Sequence, residues 1–308
     1  NMLHAPKEAV GVMTSGGTES ILCAVKGYRD RARYLWPHIK NPEILLPKSA
    51  HVAFEKGAHY FGIKCVWVPL DEKTQDPDLD AMRKRITKNT ILIVASAPQY
   101  PAGTMDPIEK ISDIALEKGL PLHVDSCIGG FMLPFVEKLG HNVPLWDFRV
   151  SGVTSISADC HKYGYAPKGA SVISWRNADD RLHQFHAFAG WPGGYYASPS
   201  LLGTRAGGPI AAAWASINAM GVDGYTDQAK KCMEVADMMK KAITDIPELE
   251  LVGNPVMSIL CFKSIDAKIH PFALADAMAK KGWKLSRQQN PNSLHVTIMP
   301  IHWNVREK

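Results

Sequence analysis

The sequence lacks the features that mark several large classes of protein. Its longest apolar runs, such as Ile91–Ala97 and Ile210–Ala215, are far shorter than the roughly 20 residues that a helix needs to cross a bilayer. Its 35 basic and 30 acidic residues form no block of about five or six like charges, so nucleic-acid binding has little support. There are no repeats and no low-complexity tracts. With 46% hydrophobic and 21% charged residues, the chain has ordinary globular composition.

The spacing of the six cysteines argues against a metal site. They form no C-x-x-C pair and no zinc-binding spacing, and most lie in apolar stretches, as buried free thiols do. We therefore expect a reducing compartment and no metal site. The chain also has no P-loop, no dinucleotide-binding glycine pattern and no G-x-S-x-G nucleophile motif.

Short β-rich runs alternate with helical patterns over most of the chain. The predicted strands are Ile44–Leu46, Cys65–Pro69, Ile91–Ala95, Leu122–Asp125, Thr154–Ser157 and Ser171–Trp175. The predicted helices between them are Thr18–Arg33, Asp78–Lys88, Pro107–Lys118 and Gly130–Lys138. This alternation predicts a mainly parallel sheet covered by helices, and such sheets bind ligands at the carboxyl ends of their strands.

Two local patterns add detail. Asp106, Pro107 and Glu109 have the spacing of a helix N-cap, a first-turn proline and a reciprocal glutamate, so Asp106 is predicted to cap the third helix. His183 and His186 lie in a further helical pattern, where we expect them to pack or face solvent and not to bind a metal.

The last part of the chain has a different organisation. After a glycine-rich stretch at Gly190–Gly208, helices are predicted near Pro209–Met220 and about Tyr225–Ile246, followed by a β-α-β-β region. This pattern predicts a large domain at residues 1–221 and a smaller α+β domain at residues 222–308.

Both ends of the sequence are abrupt. The first residue, Asn1, is not an initiator methionine, and the predicted strand Leu294–Met299 is followed by only nine residues. We expect a fragment of a longer protein, with an N-terminal segment missing and the small domain incomplete.

The strongest chemical signal is the stretch S-A-D-C-H-K-Y-G-Y-A-P-K-G at Ser157–Gly169. It places Lys162 in a polar segment between two predicted strands, where a lysine can form a Schiff base with an aldehyde cofactor. Taken alone, this pattern favours a surface lysine in a hairpin.

Two further stretches support a cofactor site. H-V-D-S-C-I-G-G places Asp125 at the end of an apolar strand, where a buried carboxylate needs a cationic partner such as a protonated pyridine nitrogen. M-T-S-G-G-T-E-S exposes backbone amides around Gly17 at the start of a helix, where an anion such as a phosphate can bind. The alternatives are a helix cap at Asp125 and an ordinary helix start at Gly17.

The order of these three stretches resembles that in fold-type I pyridoxal-phosphate enzymes. Their residue sequences resemble those of the sphingosine-1-phosphate lyases. The resemblance runs from Thr14 to about Ile298 and includes D-F-R-V-S-G-V-T-S-I-S and G-G-Y-Y-A-S-P-S-L-L-G-T-R. The related amino-acid decarboxylases share the aspartate and His-Lys but not typically the Y-A-P-K-G continuation. The resemblance implies the fold-type I pyridoxal-phosphate-dependent transferase fold, an α/β large domain with a smaller α+β C-terminal domain.

The resemblance also implies roles for individual residues. Lys162 would hold pyridoxal 5'-phosphate as a Schiff base and Asp125 would pair with its ring nitrogen. The cofactor-binding set it implies is Gly17, Thr18, His51, Asp125, His161, Lys162, Gly203 and Thr204, with Gly203 and Thr204 reaching the phosphate of the neighbouring subunit's cofactor in a homodimer. Tyr100 and Lys168 would lie near the substrate's phosphate and reacting carbons.

Two departures from the family are visible. The family often has serine where this chain has Thr204, and the hydroxyl is kept. The family also places an Asn-x-x-His segment and a tyrosine well upstream of the T-S-G-G motif, but this chain begins only 13 residues before Thr14. Those upstream roles are therefore not carried over.

The implied reaction is retro-aldol cleavage of the C2–C3 bond of a phosphorylated sphingoid base, giving a long-chain aldehyde and phosphoethanolamine. The base could be Tyr100, Lys168, a cofactor phosphate oxygen or a water. The alternatives are a pyridoxal-phosphate-dependent amino-acid decarboxylase and a non-catalytic scaffold of the same fold, with a basic RNA-binding module a distant third. Family members imply a cytoplasmic location or the cytosolic face of the endoplasmic reticulum, with membrane contact only through a segment outside this chain.

Overall fold

The computed structural model describes residues 2–307 of the 308-residue chain. Its largest element is a seven-stranded sheet of β1 (Val10–Thr14), β2 (Glu43–Pro47), β3 (Lys64–Val68), β4 (Thr90–Ser96), β5 (Leu122–Asp125), β6 (Val153–Ala158) and β7 (Ser171–Trp175). The strands lie in the order β1-β7-β6-β5-β4-β2-β3. β7 pairs antiparallel with both of its neighbours, and the other pairs are parallel. The predicted α/β fold with a mainly parallel sheet is confirmed.

The sheet is covered by helices on both faces. Successive side chains of a strand point to opposite faces, so Leu45 and Ile93 pack into one hydrophobic cluster while Ile44 and Val94 pack into another. Because both faces are covered, every residue of β2 and β4 is buried. The helices of the sheet are α1 (Gly17–Leu35), α2 (Ala53–Phe61), α3 (Leu79–Arg85), α4 (Ile108–Lys118) and α5 (Leu133–Lys138), with a short 3-10 helix at Gly129–Phe131. α1 and α2 contribute to the second cluster, and α3 to α5 to the first.

The predicted cap of α4 is wrong. The N-cap residue of α4 is Pro107, and no side chain caps the helix. Asp106 is buried instead, and one of its carboxylate oxygens accepts a hydrogen bond from the backbone N–H of Ser96 at 2.7 Å. The Asp106 carboxylate thus serves as the acceptor for the last amide of β4. Burial raises the pKa of Asp106 to about 7.

The residues after Thr244 form a second, smaller sheet. Its strands are β10 (Leu249–Leu251), β11 (Ile259–Ser264), β12 (Ser286–Gln288) and β13 (Ser293–Thr297), all antiparallel and ordered β10-β11-β13-β12, with α8 (Pro271–Lys280) beside them and a 3-10 helix at Pro300–Val305 near the end. Before this sheet runs the long helix α7 (Gly207–Thr244), which is interrupted at Gly221, where φ is 56° and ψ is −175°. The two predicted helices are therefore confirmed as separate helices on either side of Gly221. The division of domains at residue 222 stays a prediction.

An exposed β-hairpin lies between β7 and α7 in the sequence. It consists of β8 (His186–Trp191) and β9 (Gly194–Ser198), preceded by α6 (Ala178–Leu182). The predicted helix through His183 and His186 is wrong, because the helix ends at Leu182 and His186 begins β8. Every residue of β8 is exposed.

The helices of residues 2–307 were compared with the length and hydropathy that a membrane span requires. None of the helices described there is both long and apolar enough to span a bilayer.

Candidate active site

The carboxyl ends of three central strands meet at one edge of the large sheet. The segments that follow β4, β5 and β6 contribute side chains to one cavity of 390 Å³, and the start of α1 closes it. Its lining residues are Ser15, Gly16, Gly17, Thr18, Glu19, Ile21, His51, Ser96, Pro98, Tyr100, Asp125, Cys127, Ile128, Asp159, His161 and Lys162. The cavity lies where a mainly parallel sheet is expected to bind its ligand.

The cavity brings together most of the residues predicted from the sequence. Gly17, Thr18, His51, Tyr100, Asp125, His161 and Lys162 all line it. Three of the predicted residues do not line it, namely Lys168, Gly203 and Thr204. Lys168 is exposed, although its positive charge still reaches His161.

Gly203 and Thr204 lie in an exposed loop that is attached to α1 by a neighbouring residue. The backbone N–H of Leu202 donates to the carboxylate of Glu19 at 3.4 Å, and Glu19 lines the cavity. The loop therefore lies beside the first turn of α1 of its own chain. Its contact with a second subunit's cofactor stays a prediction.

Lys162 makes an ion pair inside the cavity. Its Nζ lies 3.0 Å from a carboxylate oxygen of Asp159. Burial alone would lower the pKa of Lys162, but negative charge at Cys127, Asp159 and Asp125 outweighs it, so the pKa of Lys162 is raised. Burial raises the pKa of the Cys127 thiol well above its usual value, so at neutral pH the negative charges that face Lys162 are the carboxylates of Asp159 and Asp125.

Asp159 is a site residue that the sequence did not single out. It is 2% exposed, and its Oδ1 has no hydrogen-bond partner among the described residues. The signal was present in the motif, because Asp159 precedes Lys162 by three residues and the two side chains meet across one turn of the loop.

His161 stands beside this ion pair as a neutral ring. The backbone N–H of Ala170 donates to its Nδ1 at 3.2 Å, which leaves the proton on Nε2, 3.5 Å from Asp159. Burial lowers the pKa of His161, and the positive charges of Lys168 and Lys162 act in the same direction against Asp159. At neutral pH His161 can therefore donate a hydrogen bond into the cavity without adding a charge.

Asp125 is held by a chain of buried neutral groups. Its Oδ1 accepts hydrogen bonds from the Cys127 backbone N–H at 3.0 Å and from the Ser157 hydroxyl at 3.1 Å. Behind Ser157 lies His123, with its Nε2 at 3.3 Å from the Ser157 oxygen and its Nδ1 at 2.7 Å from the oxygen of Ser155. Burial lowers the pKa of His123 to about 4, so the ring is neutral and orients Asp125 without neutralising it.

His51 lies at the mouth of the cavity, ahead of α2. Its Nδ1 accepts a hydrogen bond from the Ala53 backbone N–H at 3.1 Å, which fixes the ring relative to the first turn of the helix. The ring is exposed, so one of its faces is available to a ligand. Its stacking on a cofactor ring stays a prediction.

The residues present fit the cofactor that the resemblance implies. A Cβ on Gly17 would lie 2.8 Å from both Asp159 carboxylate oxygens and from the Cys127 sulfur, so only glycine leaves the start of α1 open to the cavity. The helix has no side-chain cap at this end, and its first-turn amides suit a phosphate. Lys162 supplies an amine, Asp125 a fixed carboxylate and His161 a neutral donor. This is the donor set that a phosphorylated pyridine aldehyde requires.

The ion pair gives a prediction about the protein without cofactor. Asp159→Asn should lower the pKa of Lys162, because it removes a negative charge 3.0 Å from the amine while burial continues to disfavour the ammonium. The pH dependence of reductive methylation of Lys162, followed by peptide mass spectrometry, measures this pKa. The matched change Asp113→Asn, at an exposed position on α4, should leave it unchanged. Equal midpoints in Asp159→Asn and the unaltered protein would show that the pair does not form in solution.

Comparisons with known proteins agree with this geometry. A family profile described as the pyridoxal-dependent decarboxylase conserved domain matches residues 1–265. Sphingosine-1-phosphate lyase 1 of Mus musculus is 45% identical over 307 residues, which are 99% of this chain and 53% of that protein. Sphingosine-1-phosphate lyase of Saccharomyces cerevisiae is 46% identical over 309 residues, with 99% and 52% covered. The chain spans about half the length of the curated relatives it matches.

Solved structures show the same relationship. A sphingosine-1-phosphate lyase of Burkholderia pseudomallei superposes with a TM-score of 0.94 at 45% identity, covering 97% of this chain and 68% of that one. A glutamate decarboxylase of Lactobacillus brevis superposes with a TM-score of 0.85 at 23% identity, covering 100% and 74%. The second similarity is one of fold alone.

Proposed function

The chain belongs to the pyridoxal-dependent decarboxylase family and, within it, to the sphingosine-1-phosphate lyases, and on that basis we propose that it is the greater part of a lyase that cleaves phosphorylated sphingoid bases. The observation that carries the proposal is the cavity itself, in which Lys162, Asp125 and the open start of α1 face one another. A scaffold without activity has no reason to keep a half-buried lysine, a buried carboxylate and an open glycine at a helix start in one place. The residue sequences of the motifs and the 45% identity to sphingosine-1-phosphate lyases favour a lyase over a decarboxylase.

The proposed reaction breaks the C2–C3 bond of the substrate. A proton leaves the C3 hydroxyl, the long-chain aldehyde departs, and C2 takes up a proton to become the amine-bearing carbon of phosphoethanolamine. When bound, pyridoxal phosphate supplies the sink for the electron pair that bond cleavage leaves on C2.

The chain's own residues prepare the site for this chemistry. Lys162 would hold the cofactor covalently, and Asp125, held by Ser157 and Cys127, would place a negative charge beside the pyridine nitrogen. The amides at Gly17 and Thr18 and the neutral His161 would bind the phosphate. Tyr100 is the proposed base that lines the cavity, whereas Lys168 lies outside it in the single chain.

One experiment tests the reaction class. The full-length protein is loaded with pyridoxal phosphate, incubated with a phosphorylated sphingoid base and examined by mass spectrometry. The proposal expects a long-chain aldehyde and phosphoethanolamine in equal amounts. Release of carbon dioxide from an amino acid, with no aldehyde from the sphingoid base, would make it a decarboxylase.

We also propose that the protein works as a homodimer in which each site is completed by the other subunit. The hairpin and the segment after it expose many large apolar side chains. These are Phe188, Trp191, Tyr195, Tyr196, Leu201, Leu202, Ile210 and Trp214. An exposed apolar surface of this kind marks an interaction site, and it is continuous in sequence with Gly203 and Thr204.

The proposed location is the cytoplasm or the cytosolic face of the endoplasmic reticulum. All six cysteines are free thiols, which suits a reducing compartment. Any membrane contact is proposed to come from residues outside this chain.

Mixed dimers give a prediction about the shared site. Gly203→Glu and Lys162→Ala homodimers should both be inactive. The Cβ at Gly203 has only the Tyr196 hydroxyl within contact, at 3.5 Å, so the new side chain should be tolerated within the subunit. Random exchange makes about half the dimers mixed, each with one complete site, so roughly a quarter of the wild-type aldehyde-forming activity should return.

A matched mixture separates a shared site from an unshared one. When wild type is mixed equally with the double variant Lys162→Ala Gly203→Glu, a shared site leaves roughly a quarter of the activity, because only wild-type dimers work. A loop that serves its own subunit would leave roughly half, since every wild-type subunit would then remain active. Subunit exchange is confirmed by native mass spectrometry.

A further inference from the structure

A histidine of the small sheet packs against the loop that carries Tyr100. His295 lies in β13 and is 2% exposed. Its ring centroid is 4.4 Å from that of Tyr100, with 36° between the two planes. Tyr100 is 43% exposed and lines the cavity, so the same residue borders the site and contacts His295.

The hydrogen bonds of His295 fix which nitrogen carries the proton. Its Nδ1 lies 3.2 Å from the carbonyl oxygen of Pro101, which can only accept, so Nδ1 carries the proton. Its Nε2 lies 2.9 Å from the Thr297 hydroxyl, which therefore donates. Both ring nitrogens are paired, and the ring has one orientation.

The loop is also closed within itself and held against the small sheet. Gln99 makes two bonds across it, one from its backbone N–H to the Thr104 carbonyl at 2.9 Å and one from its amide to the Thr104 hydroxyl at 2.8 Å. At Gly103 a Cβ would lie 2.3 Å from the carbonyl oxygen of Ile259, which is backbone of β11. The small sheet thus touches the loop at Gly103, and His295 touches it at the residues next to the cavity.

We propose that His295 is a positioning residue, which acts through Tyr100 by holding the Pro101 carbonyl and the tyrosine ring so that the phenol faces the cavity. This rests on the proposed function, in which Tyr100 acts on the substrate. A displacement of about 1 Å in a reacting group can lower a rate about a hundredfold, so a histidine that never touches substrate can control turnover. The effect should fall on kcat more than on KM, because the alignment of the phenol and not the binding of the lipid chain is lost.

A double-mutant cycle tests the connection. Tyr100→Phe should lower kcat for aldehyde release by about a hundredfold, and His295→Phe, which keeps a ring but loses both hydrogen bonds, by about tenfold or more. In the Tyr100→Phe protein, His295→Phe should change kcat by less than about twofold, because there is no phenol left to align. His295→Asn, whose side-chain N–H can still reach the Pro101 carbonyl, should recover part of the loss.

The control and a second measurement separate positioning from stability. Leu294 neighbours His295 in β13 and packs on the opposite face, so Leu294→Ala should lower the melting temperature but leave kcat unchanged. Independently of the reaction, 3-fluorotyrosine at position 100 should give one sharp fluorine resonance in the protein and in Leu294→Ala. The resonance should broaden or shift in His295→Phe.

The outcomes are distinct. Additive losses in the double variant, or a fluorine resonance that His295→Phe leaves unchanged, would overturn the assignment. So would a Tyr100→Phe protein with normal kcat. If the unaltered protein releases no aldehyde, the proposed function fails, and the fluorine resonance alone decides whether His295 holds Tyr100.

Discussion

Lys162→Ala should abolish covalent attachment of pyridoxal phosphate and reduce aldehyde release to less than about one-thousandth of the wild-type rate, with the fold retained. The amine is the only lysine nitrogen among the residues that line the cavity of the described chain, and it is held there by Asp159 at 3.0 Å. Without it the cofactor has no covalent anchor, and no residue can take its place as the nucleophile. Replacement by alanine removes an ion pair but leaves the backbone of the loop unchanged, so the protein should still fold.

The attachment site is checked by reduction and mapping. Borohydride treatment of the loaded protein, followed by digestion and mass spectrometry, should place the label on Lys162. The same label should remain in Lys168→Ala, since Lys168 lies outside the cavity. A label on Lys168 in the unaltered protein would overturn the assignment.

Asp125→Asn should lower turnover by about a hundredfold or more while the cofactor still binds. The substitution keeps the size of the side chain but removes the charge that is proposed to keep the pyridine nitrogen protonated, and without that proton the ring is a poor sink for electrons. Because Oδ1 is fixed by Ser157 and Cys127, the asparagine should stay in place and the loss should reflect charge. The visible absorbance of bound cofactor and kcat are measured together.

A second buried carboxylate provides the matched control. Asp106 also follows a central strand, but it does not line the cavity, and its Oδ1 has no hydrogen-bond partner among the described residues. Asp106→Asn can keep the bond from the Ser96 N–H, so it should change kcat by only a few fold. An Asp125→Asn protein with the activity of Asp106→Asn would mean that Asp125 serves only as a local hydrogen-bond acceptor.

Much of the large sheet could be predicted from the sequence, because its strands are buried on both faces. Leu122–Asp125 and Ser171–Trp175 were predicted with the bounds that the structure has. By contrast, the five-residue strand Val10–Thr14 and the helix Ala53–Phe61 were missed, since neither has a long apolar pattern. The hairpin after His186 was missed for another reason, as its exposed residues carry no alternation of buried and exposed positions.

The site was predictable where one motif held the residue and its neighbours. Lys162, His161 and Asp125 could be found because each lies at or just after the end of a strand and within a few residues of glycine. His123 and His295 could not, because their roles depend on contacts across 32 residues to Ser155 and across 194 residues to Pro101. Asp106 was misassigned by the same limitation, because its carboxylate accepts a hydrogen bond from Ser96 at the end of the preceding strand and does not cap α4.

The order of the sheet has a consequence for synthesis of the protein. Among residues 2–307, β1 pairs with β7 alone, with Val10 opposite Trp175, and β7 is the last of the seven strands of that sheet to be synthesised. The ribosome adds about 5 to 20 residues per second. Roughly 10 to 30 seconds therefore pass between the synthesis of β1, with the Gly17 turn after it, and the synthesis of β7. A nascent chain that stalls before β7 should thus be unable to retain the cofactor, and the face of α1 that packs against Trp175 of β7 should stay uncovered.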